Sequence, residues 1–444
     1  APGELVGTVP LSTGAEMAAA IKAANDAWWD WRSTPPIVRA RYMFKIKEVL
    51  PKNFEDISRV ATQEHGKTID EARGETRRAI ENVECAAGIP TLMMGYNLED
   101  GAAKNIDESV IRQPMGVFGH VAPFNFPGMV PYWFWPFALA TGNTFVLKPS
   151  EQTPITLQRT FEVLEDADLP PGIFNLVNGD KEAVDALLDS PDVTGVTFVG
   201  STPVGKLIHK RCGEPCKRCT PPAGAKNVLT VMPDDAIDRA MPNMMASFFG
   251  NSGQRCLAGA NLVAVGDVHD ELREKFLAAA KKLKVGPGLD ESVQMGPVIS
   301  KKSLERIHGY IDMAVKQGAK LILDGRDIKV PEHENGYWIG PTILDECTPE
   351  MTHCQEEIFG PVASIIRVND LEEAIKITNA SPFANSASLY TQSGRAARTF
   401  CYKVTAGNIG LNLGIPAPMA YFPFAGAKDS RSGKHTSEFQ SPNT

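Results

Sequence analysis

The chain has 444 residues, 43% hydrophobic, 22% charged and 8% aromatic, with a formal net charge of −8. That length exceeds what one hydrophobic core organises and predicts two or three domains, and the ordinary globular composition excludes long disorder. The acidic balance without any basic block excludes nucleic acid as a partner, and no apolar run reaches membrane-spanning length, the longest, Met129 to Ala140, being short and carrying two prolines. Eight unevenly spaced cysteines do not resemble a disulfide framework and point to a reducing compartment. Nothing at the N-terminus reads as a secretory signal, and Ala1 in place of Met fits a trimmed or processed chain.

In chain order, Thr13-Gly14-Ala15-Glu16 is a capping box that predicts an amphipathic helix to Trp31. Helical patterns continue through Val38–Val49, Asn53–His65 and Thr68–Gly88, so the N-terminal quarter is mostly helical. Asn97 to Arg112 is polar and strand-like, a projecting hairpin. Short apolar strands then alternate with helices through Met115–Val121, Met129–Thr141, Thr144–Leu147, Ile155–Leu164, Ile173–Val177, Lys181–Leu188, Gly195–Val199 and Val204–Lys210. That alternation predicts a parallel sheet covered on both faces. A second α/β pattern follows Lys226, through Val228–Val231, Asp235–Phe249, Ala260–Val265, Glu271–Leu283, Lys301–Gln317, Lys320–Leu323, Val362–Val368, Leu371–Thr378 and Ser386–Tyr390. Lys428 to Thr444 is polar and weakly patterned, and no internal repeat is visible.

The stretch with the most chemistry is Gly250-Asn251-Ser252-Gly253-Gln254-Arg255-Cys256, between the apolar run Met241–Phe249 and the strand Ala260–Val265. Glycines let a backbone approach a bound group closely and turn N–H groups into a pocket. Arg255 beside Cys256 is expected to favour thiolate, which makes Cys256 a candidate nucleophile, although a structural loop cysteine would present the same residues.

Four other motifs stand at strand ends. Phe198 to Gly205 (FVGSTPVG) passes from strand to helix, where Gly200, Ser201 and Gly205 could receive a phosphate, although the middle glycine of the dinucleotide fingerprint is missing. Lys148 and Glu151, in LKPSE, suit ribose hydroxyls, and Glu151 would repel a 2′-phosphate, favouring NAD over NADP. In PFNFP, Asn125 is held between prolines and rings with its NH2 free to meet an oxyanion, or else it satisfies turn backbone. In QEEIFGP, Glu357 and Phe359 would face the same way if the segment were extended, offering a ribose contact and an aromatic wall.

PFNFP, LKPSE, FVGSTPVG, GQRC, EEIFGPV and FPFAGAKDS, in that order, resemble the NAD(P)-dependent aldehyde dehydrogenase superfamily over nearly the whole chain. The resemblance implies an α/β fold of two doubly wound domains plus a small β oligomerisation element. Residues 1–95 and 115–225 would bind NAD, 226–426 would carry the thiol, and 96–114 with 427–444 would bridge subunits of a homodimer or homotetramer. It implies Cys256 as nucleophile, with Asn125 and the Cys256 N–H as oxyanion donors. It further implies Lys148, Glu151, Gly200, Ser201, Gly205, Glu357 and Phe359 as cofactor contacts.

Departures narrow the class. Hydrolytic members carry ELGGK where this chain has Pro222-Ala223-Gly224-Ala225-Lys226, so the water-activating glutamate is replaced by Pro222, which cannot act as a base. AGAKN, GQRC and NFPGMVP are similar to the CoA-acylating methylmalonate-semialdehyde branch, in which coenzyme A accepts the acyl group and arginines hold the substrate carboxylate. Arg255 and Arg78 match those arginines. A hydrolytic enzyme with another base and a non-catalytic NAD-binding or structural member are the alternatives. No metal site is expected. Cys212, Cys216 and Cys219 have cluster-like spacing, yet free thiols are the better reading, and a metal-cluster protein is the remaining rival. The chain ends soon after FPFAGAKDSRSGKH, whereas family members run on into a strand that pairs with a neighbouring subunit. Bacterial cytoplasm and mitochondrial matrix both suit this reading.

Overall fold

The computed structural model describes residues 5–234 and 236–430. The N-terminal helices form where the sequence caps them. Thr13 and Thr68 both accept from the N–H three residues on while Glu16 and Glu71 reach back, opening helices Gly14–Ser33 and Ile69–Ala87. Pro36 opens the helix Pro36–Lys52, and Gly66 in the left-handed region ends Phe54–His65.

These helices pack on a five-stranded sheet in the order Phe174–Leu176, Thr144–Lys148, Val117–Val121, Val193–Phe198, Arg218–Thr220, all parallel. Both central strands are buried along their whole length, as a sheet covered on both faces requires. The strand order reverses between Val117–Val121 and Val193–Phe198. Val121 lies level with Lys148 and Phe198, so PFNFP, LKPSE and VGSTPVG leave the same carboxyl edge around the crevice where such sheets hold ligands.

The second sheet has seven strands, in the order Lys320–Leu323, Thr342–Asp345, Val362–Val368, Gly259–Val265, Asn227–Val231, Ser386–Tyr390, Asn408–Leu411. Only the edge strand Lys320–Leu323 is antiparallel to its neighbour. Lys226, Cys256, Glu357 and Asn385 stand just before four of the parallel strands, at their amino ends. The site therefore lies between the carboxyl edge of one sheet and the amino edge of the other.

Met129–Thr141 resolves into a 3-10 turn, Val130–Trp133, and a short helix, Trp135–Ala140, because Pro131 and Pro136 each open a new piece. Thr342–Asp345 and Asn408–Leu411 are too short to show periodicity, and helix Gly394–Lys403 has a largely polar sequence; none was anticipated. Tyr96–Leu98 pairs antiparallel with Glu108–Val110, and all six residues are exposed. Ala427–Lys428 instead pairs with Phe383–Ala384 of its own chain, and the Ser430 carbonyl accepts from Ala223 N. The rest of the expected bridging segment, 431–444, lies outside the described residues. Cys212 is buried in helix Thr202–Gly213, Cys216 sits exposed in a left-handed turn, and Cys219 lies on the following strand. Their three sulfurs do not gather at ligand spacing among the described residues.

Candidate active site

The helix Ile237–Phe249 delivers the chain into a turn in which Asn251, Ser252 and Gly253 are all left-handed. Such a run is costly for non-glycine residues and must be held from outside. Asn251 N donates to Glu71 Oε1, Ser252 Oγ to the Gly296 carbonyl at 2.6 Å, and Ile299 N to Gln254 Oε1 at 3.0 Å. A Cβ on Gly253 would stand 2.2 Å from the Gly360 carbonyl oxygen, so only glycine lets this turn rest on the EEIFGPV segment. Asn227 and Asn385, each at the foot of a strand, donate to the Cys256 carbonyl at 2.9 and 3.0 Å. The thiol is thus fixed to the edge of the second sheet.

Asn125 approaches from the first sheet. Its Nδ2 donates to the carbonyl of Gln254, two residues before the thiol, at 2.9 Å, and its side chain is buried. Its own carbonyl accepts from Lys67 Nζ at 2.7 Å and from Asn251 Nδ2 at 3.2 Å. Lys67 is paired with Glu75, both side chains fully buried, and Glu75 accepts from Gly128 N at 2.6 Å. Lys67 also lies 4.2 Å from the centre of the Phe126 ring. One buried ion pair therefore holds PFNFPG at both its asparagine and its glycine.

At the crevice, Lys148 Nζ, buried, contacts the half-exposed Glu151 carboxylate at 3.0 Å. Ser201 is the N-cap residue of Thr202–Gly213, a twelve-residue helix, yet its hydroxyl makes no capping bond. That leaves a hydroxyl donor at the positive end of the helix dipole, with Gly205 in the first turns, a set that fits a pyrophosphate. Lys148 and Glu151 offer a donor and an acceptor for ribose. These residues suit a dinucleotide without the full glycine fingerprint.

The segment 222–226 runs between this helix and Glu357. Gly224 N donates to Thr202 Oγ1 at 3.1 Å and Ala225 N to Glu357 Oε1 at 2.8 Å. A Cβ on Gly224 would come within 2.8 Å of both Thr202 Oγ1 and Glu357 Oε2. The expectation that Glu357 and Phe359 share one face of an extended segment is not met, because Phe359 is left-handed, with φ 56°. They line one pocket all the same, with Gly253, Arg255, Lys226 and Ala258, and the Phe359 ring meets Phe124 edge-on at 5.8 Å.

Electrostatics correct one expectation. Burial pushes the Cys256 thiol up to about 12, the nearby Glu357 charge adds to this, and Arg255 opposes it only weakly. The Arg255 guanidinium turns to Glu71, 2.8 Å away, and to the Ala246 carbonyl, so its charge is largely met elsewhere. Burial likewise lifts Glu357 to about 7.

The two arginines differ. Arg255 is mostly buried and held by Glu71, whereas Arg78 is half-exposed and paired with Glu81 at 2.8 Å. Arg78 stands at a groove lined by aromatic side chains, among them Trp133, Phe422 and Phe424. Sequence reasoning did not single out Lys67, Glu71, Glu75, Asn227 or Asn385. The Thr68–Glu71 capping box was the available signal for Glu71, which caps its own helix with one oxygen and serves the thiol turn with the other.

A thiol at the amino edge of one α/β sheet, and at the carboxyl edge of the other a crevice whose residues suit a dinucleotide, are what a thiol-dependent oxidoreductase requires. The chain matches the model of the aldehyde dehydrogenase family over residues 1–441. It is 48% identical over 433 residues to malonate-semialdehyde dehydrogenase 2 of Geobacillus kaustophilus, covering 98% of this chain and 89% of that one. The crystal structure of methylmalonate-semialdehyde dehydrogenase from Oceanimonas doudoroffii superimposes with a TM-score of 0.97 at 44% identity, covering 100% of this chain and 90% of the other. A Sinorhizobium meliloti structure described under the same enzyme name and holding NAD matches with a TM-score of 0.96 at 41% identity, with the same coverage. The chain belongs to the aldehyde dehydrogenase family, and its chemistry is NAD-dependent oxidation of an aldehyde.

Proposed function

We propose that this enzyme oxidises malonate semialdehyde or methylmalonate semialdehyde and passes the acyl group to coenzyme A. The observation that carries this reading is Pro222. It occupies the place of the water-activating carboxylate in hydrolytic relatives and cannot act as a base, and the segment that follows it is tied to Thr202 and Glu357. The names of the relatives support the substrate class.

In this reading Cys256 loses its proton and attacks the aldehyde carbon. The hemithioacetal oxyanion meets Asn125 Nδ2 and the Cys256 N–H, each such donor being worth roughly 3–4 kcal/mol. NAD, when bound at the crevice, supplies the hydride acceptor, with Gly200, Ser201 and Gly205 at its phosphates and Lys148, Glu151, Glu357 and Phe359 at its riboses and ring. Loss of hydride leaves a thioester on Cys256. The coenzyme A thiol then takes the acyl group and restores the cysteine, and loss of the β-carboxylate as CO2 gives propionyl-CoA or acetyl-CoA. Arg78, at the aromatic groove, holds the substrate carboxylate, and Arg255 joins it by exchanging Glu71 for the substrate.

The presence of two separate sheets supports a domain division at 1–95 with 115–225 and 226–426. The exposed hairpin at 96–114 joins subunits of a homodimer or homotetramer, and the bacterial relatives favour a bacterial cytoplasm over a mitochondrial matrix.

The deciding assay is NADH formation from each semialdehyde with and without coenzyme A. Turnover that requires coenzyme A and yields acyl-CoA is expected. Equal turnover without it, giving a free acid, would overturn the acylating assignment and leave the hydrolytic alternative.

A further inference from the structure

Ahead of Glu357 lies a second cluster of reactive side chains that the oxidation does not use. Cys347 follows the strand Thr342–Asp345, and His353 and Cys354 lie in the short helix Thr352–Gln355. All three are buried, and their ligand atoms lie within 4.8 Å of one another. His353 Nε2 stands 3.4 Å from Cys347 Sγ and 3.5 Å from Cys354 Sγ.

These separations have a meaning for metal coordination. A tetrahedral zinc ion with bonds of about 2.3 Å to sulfur and about 2.0–2.1 Å to nitrogen places the two donors about 3.5 Å apart. Both sulfur–nitrogen separations fall on that edge length.

The backbone around the cluster is fixed. Cys347 N donates to the Ile365 carbonyl at 3.1 Å, and Asn261 Nδ2 to the Cys354 carbonyl at 2.9 Å, which ties both cysteines to central strands of the second sheet.

We propose that Cys347, His353 and Cys354 form a binding site for a thiophilic divalent cation, with Zn2+ as the physiological ion. Two thiolates and a neutral imidazole balance the charge of the ion and leave one tetrahedral position open to water. On binding, the two thiol protons go to solvent, and no electron transfer is involved. The bound ion ties residue 347 to residues 353–354, and therefore braces the segment that carries Glu357 and Phe359.

The test uses the full chain carrying Cys256→Ser, which removes the reacting thiol as a competing ligand. Anaerobic titration with Co2+ should give thiolate charge-transfer and tetrahedral ligand-field bands that saturate at one ion per chain, are bleached by Zn2+, and raise Tm. Cys347→Ser or Cys354→Ser, each checked for native circular dichroism, should weaken binding at least roughly a hundredfold, more than loss of an outer-shell partner does. Cys212→Ser should leave it unchanged. Absence of the bands at millimolar Co2+ would overturn the proposal, as would bands that persist with both Cys347 and Cys354 replaced. If one serine variant does not fold, the other and His353→Gln carry the same test.

Discussion

Cys256, the proposed nucleophile, is held as a thiol. Burial and the Glu357 charge outweigh Arg255, whose guanidinium is spent on Glu71. In the cofactor-free protein, alkylation of Cys256 should therefore keep rising, roughly tenfold per pH unit, through pH 10 without a plateau. A plateau near neutral pH would contradict the assigned environment. Glu357→Gln removes one of the two leading causes, so it should speed alkylation above about pH 7, where that carboxyl is charged. It also has a stability signature. The folded carboxyl is raised from 4.5 to about 7. Its favourable contribution is complete below the unfolded value and is lost as pH rises through the folded one. Gln can still accept from Ala225 N, so the variant should match wild type near pH 4 and exceed it by up to about 3 kcal/mol at pH 8–9. Urea unfolding at the two pH values measures this, and an equal difference at both would refute it.

Between elements, the buried Lys67–Glu75 pair joins the helix Ile69–Ala87, the turn before it and the PFNFPG loop. Removing one partner leaves a charge stranded in the interior, which costs about 3–5 kcal/mol, whereas replacing both with apolar groups of similar size costs far less. Lys67→Met should therefore lower Tm more than Lys67→Met with Glu75→Leu does. The double variant should still lose kcat, because the Asn125 carbonyl no longer has the lysine that positions it. A double variant with unchanged kcat would show that the pair serves stability alone. Glu71 works similarly at a smaller scale: one side chain caps its own helix and steadies the left-handed turn before the thiol.

At the scale of the molecule, two parallel sheets meet edge to edge, and the site lies in the seam. That arrangement leaves the hairpin Tyr96–Leu98/Glu108–Val110 projecting, with Tyr96, Leu98 and Val110 exposed among the described residues. An apolar ribbon of that kind suits the joining role proposed for it. Replacing Leu98 and Val110 together by Asp should lower the assembly mass in light scattering while leaving the far-ultraviolet circular dichroism intact. An unchanged mass would place the subunit contact elsewhere.

By itself the sequence determined the elements whose signals are local: two capping boxes, the strand–helix alternation that dictates parallel sheets, and motifs such as FVGSTPVG whose position at a strand end follows from that alternation. Cys256, Asn125 and Pro222 stood out as candidates because ordered motifs of fixed residue type mark them. The tertiary structure alone decided what depends on distant neighbours. The Cys256 thiol sits high first because of burial and then because of Glu357, one hundred and one residues later. Arg255 faces Glu71 rather than the sulfur, Phe359 turns left-handed where an extended run was expected, and Lys67 reaches Asn125 through the interior. Charge, burial and hydrogen-bond pairing are properties of groups brought together by packing, and no local pattern in a chain records them.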